Sequence, residues 1–194
     1  FAGYGMTETC AAMAFTLPGS YNTSSVGFPL NGIKVRTVNI ETGKDCVGEP
    51  GELLVSGGTV MKGYYGDPEA TAKVLETDES GTVWLHTGDV LLIGEDGQLY
   101  FKDRIKRMVI IGGNNVFPSA VQRVINTCPA VESSVVVPYM DGGSQKLKAL
   151  VKLSPGYEEL SAKSEILAYC AEHLDAFSIP SVIETIDRVQ LTSM

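Results

Sequence analysis

The spacing of apolar residues changes character at about Lys102, and this change constrains the fold more than any other feature of the chain. Before it, short stretches carry apolar or β-branched residues at alternate positions and end in turn-forming Gly or Asp, the pattern of half-buried strands. Residues 33–39 and 51–56 predict strands around a turn at Glu41-Thr42-Gly43-Lys44. Asp67-Pro68-Glu69 opens a short helix, with Asp67 as N-cap and proline at the first helical position. Residues 83–86 and 89–93 predict two further strands, and Asp96-Gly97 makes a tight hairpin into residues 98–102. After Lys102 helical spacing enters. A strand-like run at 105–111 ends in Gly112-Gly113-Asn114-Asn115. A helix over 118–127 places Val121, Val124, Ile125 and Cys128 on one face. Strands at 131–138 and 147–153 join through Asp141-Gly142-Gly143. A second helix over 161–173 buries Ile166, Leu167, Cys170 and Leu174 ahead of a last strand at 182–186. The expected class is α+β: a β-rich part over 1–102, then a small domain over 103–194 with its helices on one sheet face.

Charge and cysteine usage limit the function classes. A net charge of -8 argues against nonspecific binding to nucleic acid or an anionic membrane, both of which need a basic surface. It leaves room for an anionic small molecule at the local cluster Lys102, Arg104, Lys106, Arg107. The four cysteines, Cys10, Cys46, Cys128 and Cys170, show no metal-ligand spacing and suit a reducing cytoplasm as small buried hydrophobes. No apolar run reaches the length of a membrane span, so no integral membrane contact is expected. A homo-oligomer is compatible with the sequence. The chain starts at Phe1 within a few residues of its first motif and stops directly after an apolar stretch, so both ends read as interior points of a longer protein.

Three local patterns carry chemistry. In Gly3-Tyr4-Gly5-Met6-Thr7-Glu8 the glycines let backbone approach a ligand and the ring offers a flat face to a base. Thr7 and Glu8 add a hydroxyl suited to a phosphate oxygen and a carboxylate suited to a hard cation such as Mg²⁺. In Trp84-Leu85-His86-Thr87-Gly88-Asp89 the carboxylate can accept from both hydroxyls of a ribose, with His86 a packing residue beside it. In Asp103-Arg104-Ile105-Lys106-Arg107 the guanidinium of Arg104 can fork onto phosphate or ribose oxygens. Each pattern alone is also that of an ordinary turn or a solvated hairpin. Their order and contents together are what discriminate.

Taken together the motifs resemble the AMP-forming synthetase family, which includes acyl-CoA synthetases, luciferases and peptide-synthetase adenylation domains. Gly5-Met6-Thr7-Glu8 is similar to its Gly-x-Thr-Glu motif. Gly51-Glu52-Leu53, Met61-Lys62-Gly63-Tyr64, Pro68-Glu69-Ala70-Thr71, Thr87-Gly88-Asp89 and Arg104-Ile105-Lys106 follow in family order. Leu174-Asp175-Ala176-Phe177-Ser178-Ile179-Pro180 resembles a late motif. The resemblance implies the C-terminal part of a large AMP-binding domain followed by a small mobile domain. It further implies that Tyr4 stacks on adenine beside Gly5 and Met6, Thr7 contacts phosphate, and Glu8 holds Mg²⁺. Asp89 would bind the ribose, Arg104 the nucleotide, Lys106 would be the hinge, and Gly112-Gly113 would line a coenzyme A channel. The implied activity is an ATP-dependent acid–CoA ligase: a carboxylic acid becomes an acyl-adenylate, which coenzyme A then attacks with release of AMP. An adenylation domain loading a carrier protein, or a non-catalytic binding module, are the alternatives.

Two family parts have no counterpart in the 194 residues. One is the glycine- and serine-rich phosphate loop, for which Ser56-Gly57-Gly58-Thr59 is no substitute because it lacks the Gly-Lys-Ser/Thr spacing. The other is the catalytic lysine, whose Pro-x-Thr-x-x-Gly-Lys pattern begins at Val189-Gln190-Leu191-Thr192-Ser193-Met194 with Gln190 in place of the proline. The 194 residues alone are therefore not expected to complete adenylation. Ala120 and Gln122 stand where the family carries glutamates, a change expected to be structural.

Overall fold

The computed structural model describes residues 2–19, 22 and 24–188. Its contacts divide the chain into two compact units, Phe1–Lys106 and Arg107–Met194. The segment Val189 to Met194 that opens the lysine motif lies outside the described residues.

In the first unit, β1 (Gly3–Met6), β2 (Ala11–Phe15) and β3 (Phe28–Pro29) form a three-stranded antiparallel sheet. Neither alternation nor helical spacing announces these strands, because Ala11-Ala12-Met13-Ala14-Phe15 is apolar throughout. The second sheet holds β4 (Lys34–Val38), β5 (Gly51–Ser56), β6 (Leu75–Thr77), β7 (Val83–Ile93) and β8 (Leu99–Arg104). Helix α1 (Pro68–Val74) starts as the sequence predicts: Asp67 accepts the Ala70 N–H at 2.8 Å, and Pro68 occupies the first turn. Met13, Leu53, Val55, Leu91 and Leu99, all fully buried, weld the two sheets into one core. Each contributes about 1.5–3 kcal/mol of burial.

Strand β7 is the spine of the second sheet. β5 lies along one edge, and β6 and β8 share the other, β6 pairing residues 83–85 and β8 residues 89–93. Glu52 pairs with Val90 and Leu54 with His86, so Thr87, Gly88 and Asp89 stand opposite Leu53 alone. The two strands expected at 83–86 and 89–93 are thus one strand with a bulge. Gly88 takes φ +67° inside it, a conformation that costs a residue with a Cβ. A smaller bulge places Lys102 as an extra residue between the pairs Val90–Asp103 and Leu91–Phe101.

The second unit begins with a hairpin, β9 (Val109–Ile111) and β10 (Asn114–Val116), turned by Gly112-Gly113 at φ +58° and +83°. The single strand expected over 105–111 is shorter because Ile105–Arg107 forms a 3-10 turn first. Helix α2 (Pro118–Ile125) leads to the long hairpin β11 (Val131–Asp141) and β12 (Ser144–Leu153). Helix α3 (Glu159–His173) then crosses to β13 (Val182–Thr185), which pairs parallel with β12. Val121, Ile125 and Cys128 at one end, and Ala162, Ile166 and Cys170 on α3, pack with Leu147, Ala149 and Val151 from one face of β12. Leu167, expected inside, is 42% exposed, because the buried stripe of α3 runs 162–166–170 and its neighbour points about 100° away.

Candidate functional site

The first unit holds a cavity of about 910 Å³ that brings together sequence-distant motifs. Gly5, Met6, Thr7 and Glu8 line it from the end of β1, Thr87, Gly88 and Asp89 from the β7 bulge, and Arg104 and Lys106 from the end of β8. A volume of this size suits a nucleotide-sized ligand.

Asp89 is its electrostatic centre. It is 5% exposed, yet its two carboxylate oxygens are both engaged: Oδ2 accepts from the Tyr4 hydroxyl at 2.8 Å, and Oδ1 lies 3.1 Å from Nε of Arg104. Asp89 and Arg104 are cross-strand partners in the β7–β8 ladder, so the strand register itself sets their pairing. Burial, reinforced by the hydrogen bond and charge of Asp89, pushes the Tyr4 phenol well above its usual range, which keeps it a donor. The ring of Tyr4 lines a neighbouring cavity of about 610 Å³ with Cys10, Ala11, Ala12 and Phe15.

Glu8 is half-buried and follows β1 in a 3-10 turn, Thr7–Thr9. Thr9 is fully buried and ties the turn: its hydroxyl accepts the Met6 N–H at 3.1 Å and lies 3.0 Å from the Ala11 carbonyl. Cys10 and Ala11 follow at φ +51° and +96°, the two non-glycine residues with positive φ among the described residues. Such conformations cost about 1–3 kcal/mol each and collect at functional sites. Tyr64 donates its hydroxyl to Glu8 Oε1 at 2.7 Å, and Met61 N–H donates to the Glu8 carbonyl at 2.8 Å. The Met61–Tyr64 loop is thereby latched onto the acidic residue. The hydrogen bond to the Glu8 carboxylate raises the Tyr64 phenol.

His86 is not a packing residue as expected. Its Nδ1 lies 3.0 Å from Glu52 Oε2 and its Nε2 lies 3.2 Å from Glu76 Oε2. Burial works against the charged ring, but the hydrogen bonds and charges of Glu52 and Glu76 outweigh it and raise the pKa. Glu52, Tyr64, Lys73 and His86 all line the cavity, and sequence reasoning gave none of them a binding role. Glu52, Tyr64 and His86 carry a sequence signal, since each stands inside one of the motifs or immediately before it, whereas Lys73 has none.

Of the other expected residues, Gly112 and Gly113 belong to the second unit and form its first hairpin turn. All four cysteines are free thiols, but only Cys128 and Cys170 are buried; Cys10 is exposed, on a turn whose backbone leaves its side chain no core to enter. Among the described residues no group of three or more His, Cys, Asp or Glu could hold a metal alone, and no helix is long and apolar enough to cross a membrane. A Mg²⁺ ion is ordinarily held by one or two carboxylates plus substrate phosphates, and the half-buried carboxylate of Glu8, which lines the cavity, fits that mode.

A buried acid paired to a cross-strand arginine thus stands beside a turn carrying a half-buried carboxylate, and comparison with known proteins gives the class. Family models for the AMP-binding enzyme and for the AMP-binding enzyme C-terminal domain match residues 1–65 and 120–194, and the chain belongs to this family. It is similar to a long-chain-fatty-acid–CoA ligase of Escherichia coli O157:H7, at 32% identity over 96% of this chain and 32% of the relative. It is also similar to the putative acyl–CoA ligase YdaB of Bacillus subtilis strain 168, at 36% identity over 93% of this chain and 35% of the relative. The crystal structure of ATP-bound MatB from Rhodopseudomonas palustris superposes with a TM-score of 0.78 at 29% identity, covering 99% of this chain and 37% of that one. The chain therefore spans about a third of the length of the curated relatives it matches.

Proposed function

We propose that this chain is the nucleotide-handling part of an ATP-dependent acid–CoA ligase. The carrying observation is the convergence of Glu8, Asp89 and Arg104 on one cavity, with Asp89 buried and paired across the ladder. In this reading a substrate carboxylate oxygen attacks the α-phosphorus of ATP and pyrophosphate leaves. The thiol of coenzyme A then attacks the acyl carbon of the mixed anhydride, and AMP leaves. Asp89 accepts the ribose hydroxyls, its desolvated oxygens sharing their lone pairs with Tyr4 and Arg104. Arg104 and Thr7 direct donors at phosphate oxygens, where charge develops. Tyr4 offers its ring to the adenine beside Gly5 and Met6. Glu8, aimed by Tyr64, would hold Mg²⁺, which would neutralise phosphate charge. Lys106 is the hinge before the second unit, and Gly112-Gly113 lines the approach of the thiol. The partners are a carboxylic acid and coenzyme A, in the cytoplasm.

The test is AMP release by the full-length protein over a panel of carboxylic acids, with and without coenzyme A. Acid-specific release that needs coenzyme A is the expected result. Adenylate formation with AMP release indifferent to coenzyme A would overturn the ligase reading in favour of another acceptor.

A further inference from the structure

The bulge in β7 creates a physical problem that the chain solves with charge. Three residues opposite one leave the part-buried Gly88 N–H without a ladder acceptor, and a donor shielded from water without a partner is costly. Thr87 replaces one lost bond by donating its hydroxyl to the Leu53 carbonyl at 2.8 Å. The Gly88 N–H donates to Oε1 of Glu52 at 3.1 Å. The other oxygen of Glu52 faces His86 Nδ1, and the opposite ring nitrogen faces Glu76. A neutral imidazole has one N–H, and ionised carboxylates only accept. A ring set between two carboxylates is satisfied on both sides as the imidazolium. Glu76 in turn receives Arg36 Nη2 at 3.1 Å, and Arg36 lies over the Trp84 ring at 4.7 Å and pairs with Asp45. Strands β4, β5, β6 and β7 thus each contribute to one charged row that ends at the bulge.

We infer that Glu52 is a positioning residue for Asp89, clamping the Thr87–Gly88–Asp89 bulge in its ligand-presenting shape, and that His86 holds this clamp and ties it to protonation. The inference rests on the reading of Asp89 as the ribose acceptor. The groups facing His86 are Glu52 of β5 and Glu76 of β6, the latter backed by Arg36 of β4; Glu8, Lys73, Asp89, Arg104 and Lys106 line the same cavity. With His86 protonated, Glu52 is neutralised and fixed on Gly88. Once the proton is lost, Glu52 and Glu76 repel each other across a neutral ring and the clamp loosens. Ribose affinity therefore falls as pH rises through the His86 pKa, which lies above its ordinary value.

The experiment is calorimetric titration of the full-length protein with adenosine, whose ribose does not titrate in this range, at pH 6 and pH 8.5. Wild type should weaken about fivefold between the two, the size of one partly exposed ion pair. Glu52→Ala should weaken binding about tenfold at both, from loss of a hydrogen bond to a charged acceptor. Glu52→Gln, whose amide oxygen can still accept from Gly88, should bind within about twofold of wild type at pH 8.5 and lose the pH dependence. His86→Gln should flatten the profile in the same way. If Glu52→Ala does not fold, the profile of Glu52→Gln decides. Asp89→Asn is the control. If Asp89→Asn destroys binding while Glu52→Ala matches wild type, or if Glu52→Gln and His86→Gln keep the wild-type pH dependence, the positioning role is overturned and the ribose reading stands. Unchanged binding in Asp89→Asn, or no adenosine binding by wild type, overturns both.

Discussion

The two units are built from the same kinds of element to opposite standards of regularity. In Arg107–Met194 the helices and one face of β12 share a continuous apolar core, and among the described residues the buried polar side chains are two serines, Ser134 and Ser178. In Phe1–Lys106 the buried set includes Asp89, Asp103, Thr9, Thr37 and Thr87, and Cys10 and Ala11, the two non-glycine residues with positive φ among the described residues, line the neighbouring cavity beside Tyr4. The difference is local. Strain, bulges and desolvated charge gather around Thr7–Glu8 and Thr87–Asp89, while Leu53, Val55 and Leu91 a few ladder positions away pack as ordinary core. A site that must offer unsaturated polar groups to a ligand draws its stability from neighbours that do not.

The largest effect should come from the regular unit. Ile166→Ala empties a fully buried position on α3 and should lower unfolding stability by about 2–5 kcal/mol, measured in urea, while nucleotide affinity of the folded protein holds. A matching loss of affinity would erase the contrast between a scaffolding unit and a binding one. Next is Asp89→Ala, which strips Tyr4 and Arg104 of their shared acceptor. AMP affinity should drop by about 10- to 100-fold by calorimetry. Unaltered affinity would remove Asp89 from the site.

Tyr64→Phe sharpens the comparison further, because it changes one oxygen on an exposed side chain. With Glu8 no longer aimed, half-maximal activation of the full-length protein should need about 3- to 10-fold more Mg²⁺, at near-normal stability. A shift in unfolding midpoint with an unchanged Mg²⁺ requirement would make the Tyr64–Glu8 bond structural. The smallest effect is on pH-dependent stability. The folded His86 pKa is raised above the unfolded value, so its stabilisation is complete below about pH 6.5 and is lost as pH climbs through the folded pKa. Urea midpoints should fall slightly from pH 6 to pH 8.5 in wild type, and by less in His86→Gln. No difference between them would take His86 out of the balance.

Much of this was legible in the sequence where the signal is local. Alternation gave β4 and β5, the Asp67-Pro68 start gave α1, and a period of 3.6 gave α2 and α3 with Ile125, Ile166 and Cys170 inside. The features that escaped depend on a partner strand. That Thr87–Asp89 bulges instead of turning is a fact about register with Leu53, which no window around Gly88 contains. Glu52 lies 36 positions from Gly88, so their hydrogen bond has no sequence trace beyond the motif. The uniformly apolar run of β2 hid a strand, since Ala11 and Phe15 are exposed yet as apolar as the buried Met13 and Ala14, and such a run has no period.

Lys102, the extra residue of the β8 bulge, is a spacer in the ladder. A bulge sets two residues of one strand against one of its partner, so the residues beyond it keep their partners by register and not by a running count. Phe101 faces Leu91, one residue is skipped, and Asp103 and Arg104 then fall opposite Val90 and Asp89. Removing Lys102 would join Phe101 to Asp103 and leave Asp103 and Arg104 opposite the same partners. Losing Asp103 as well would slide Arg104 to Val90 and Ile105 to Asp89, and the cavity would lose its arginine with no arginine mutated.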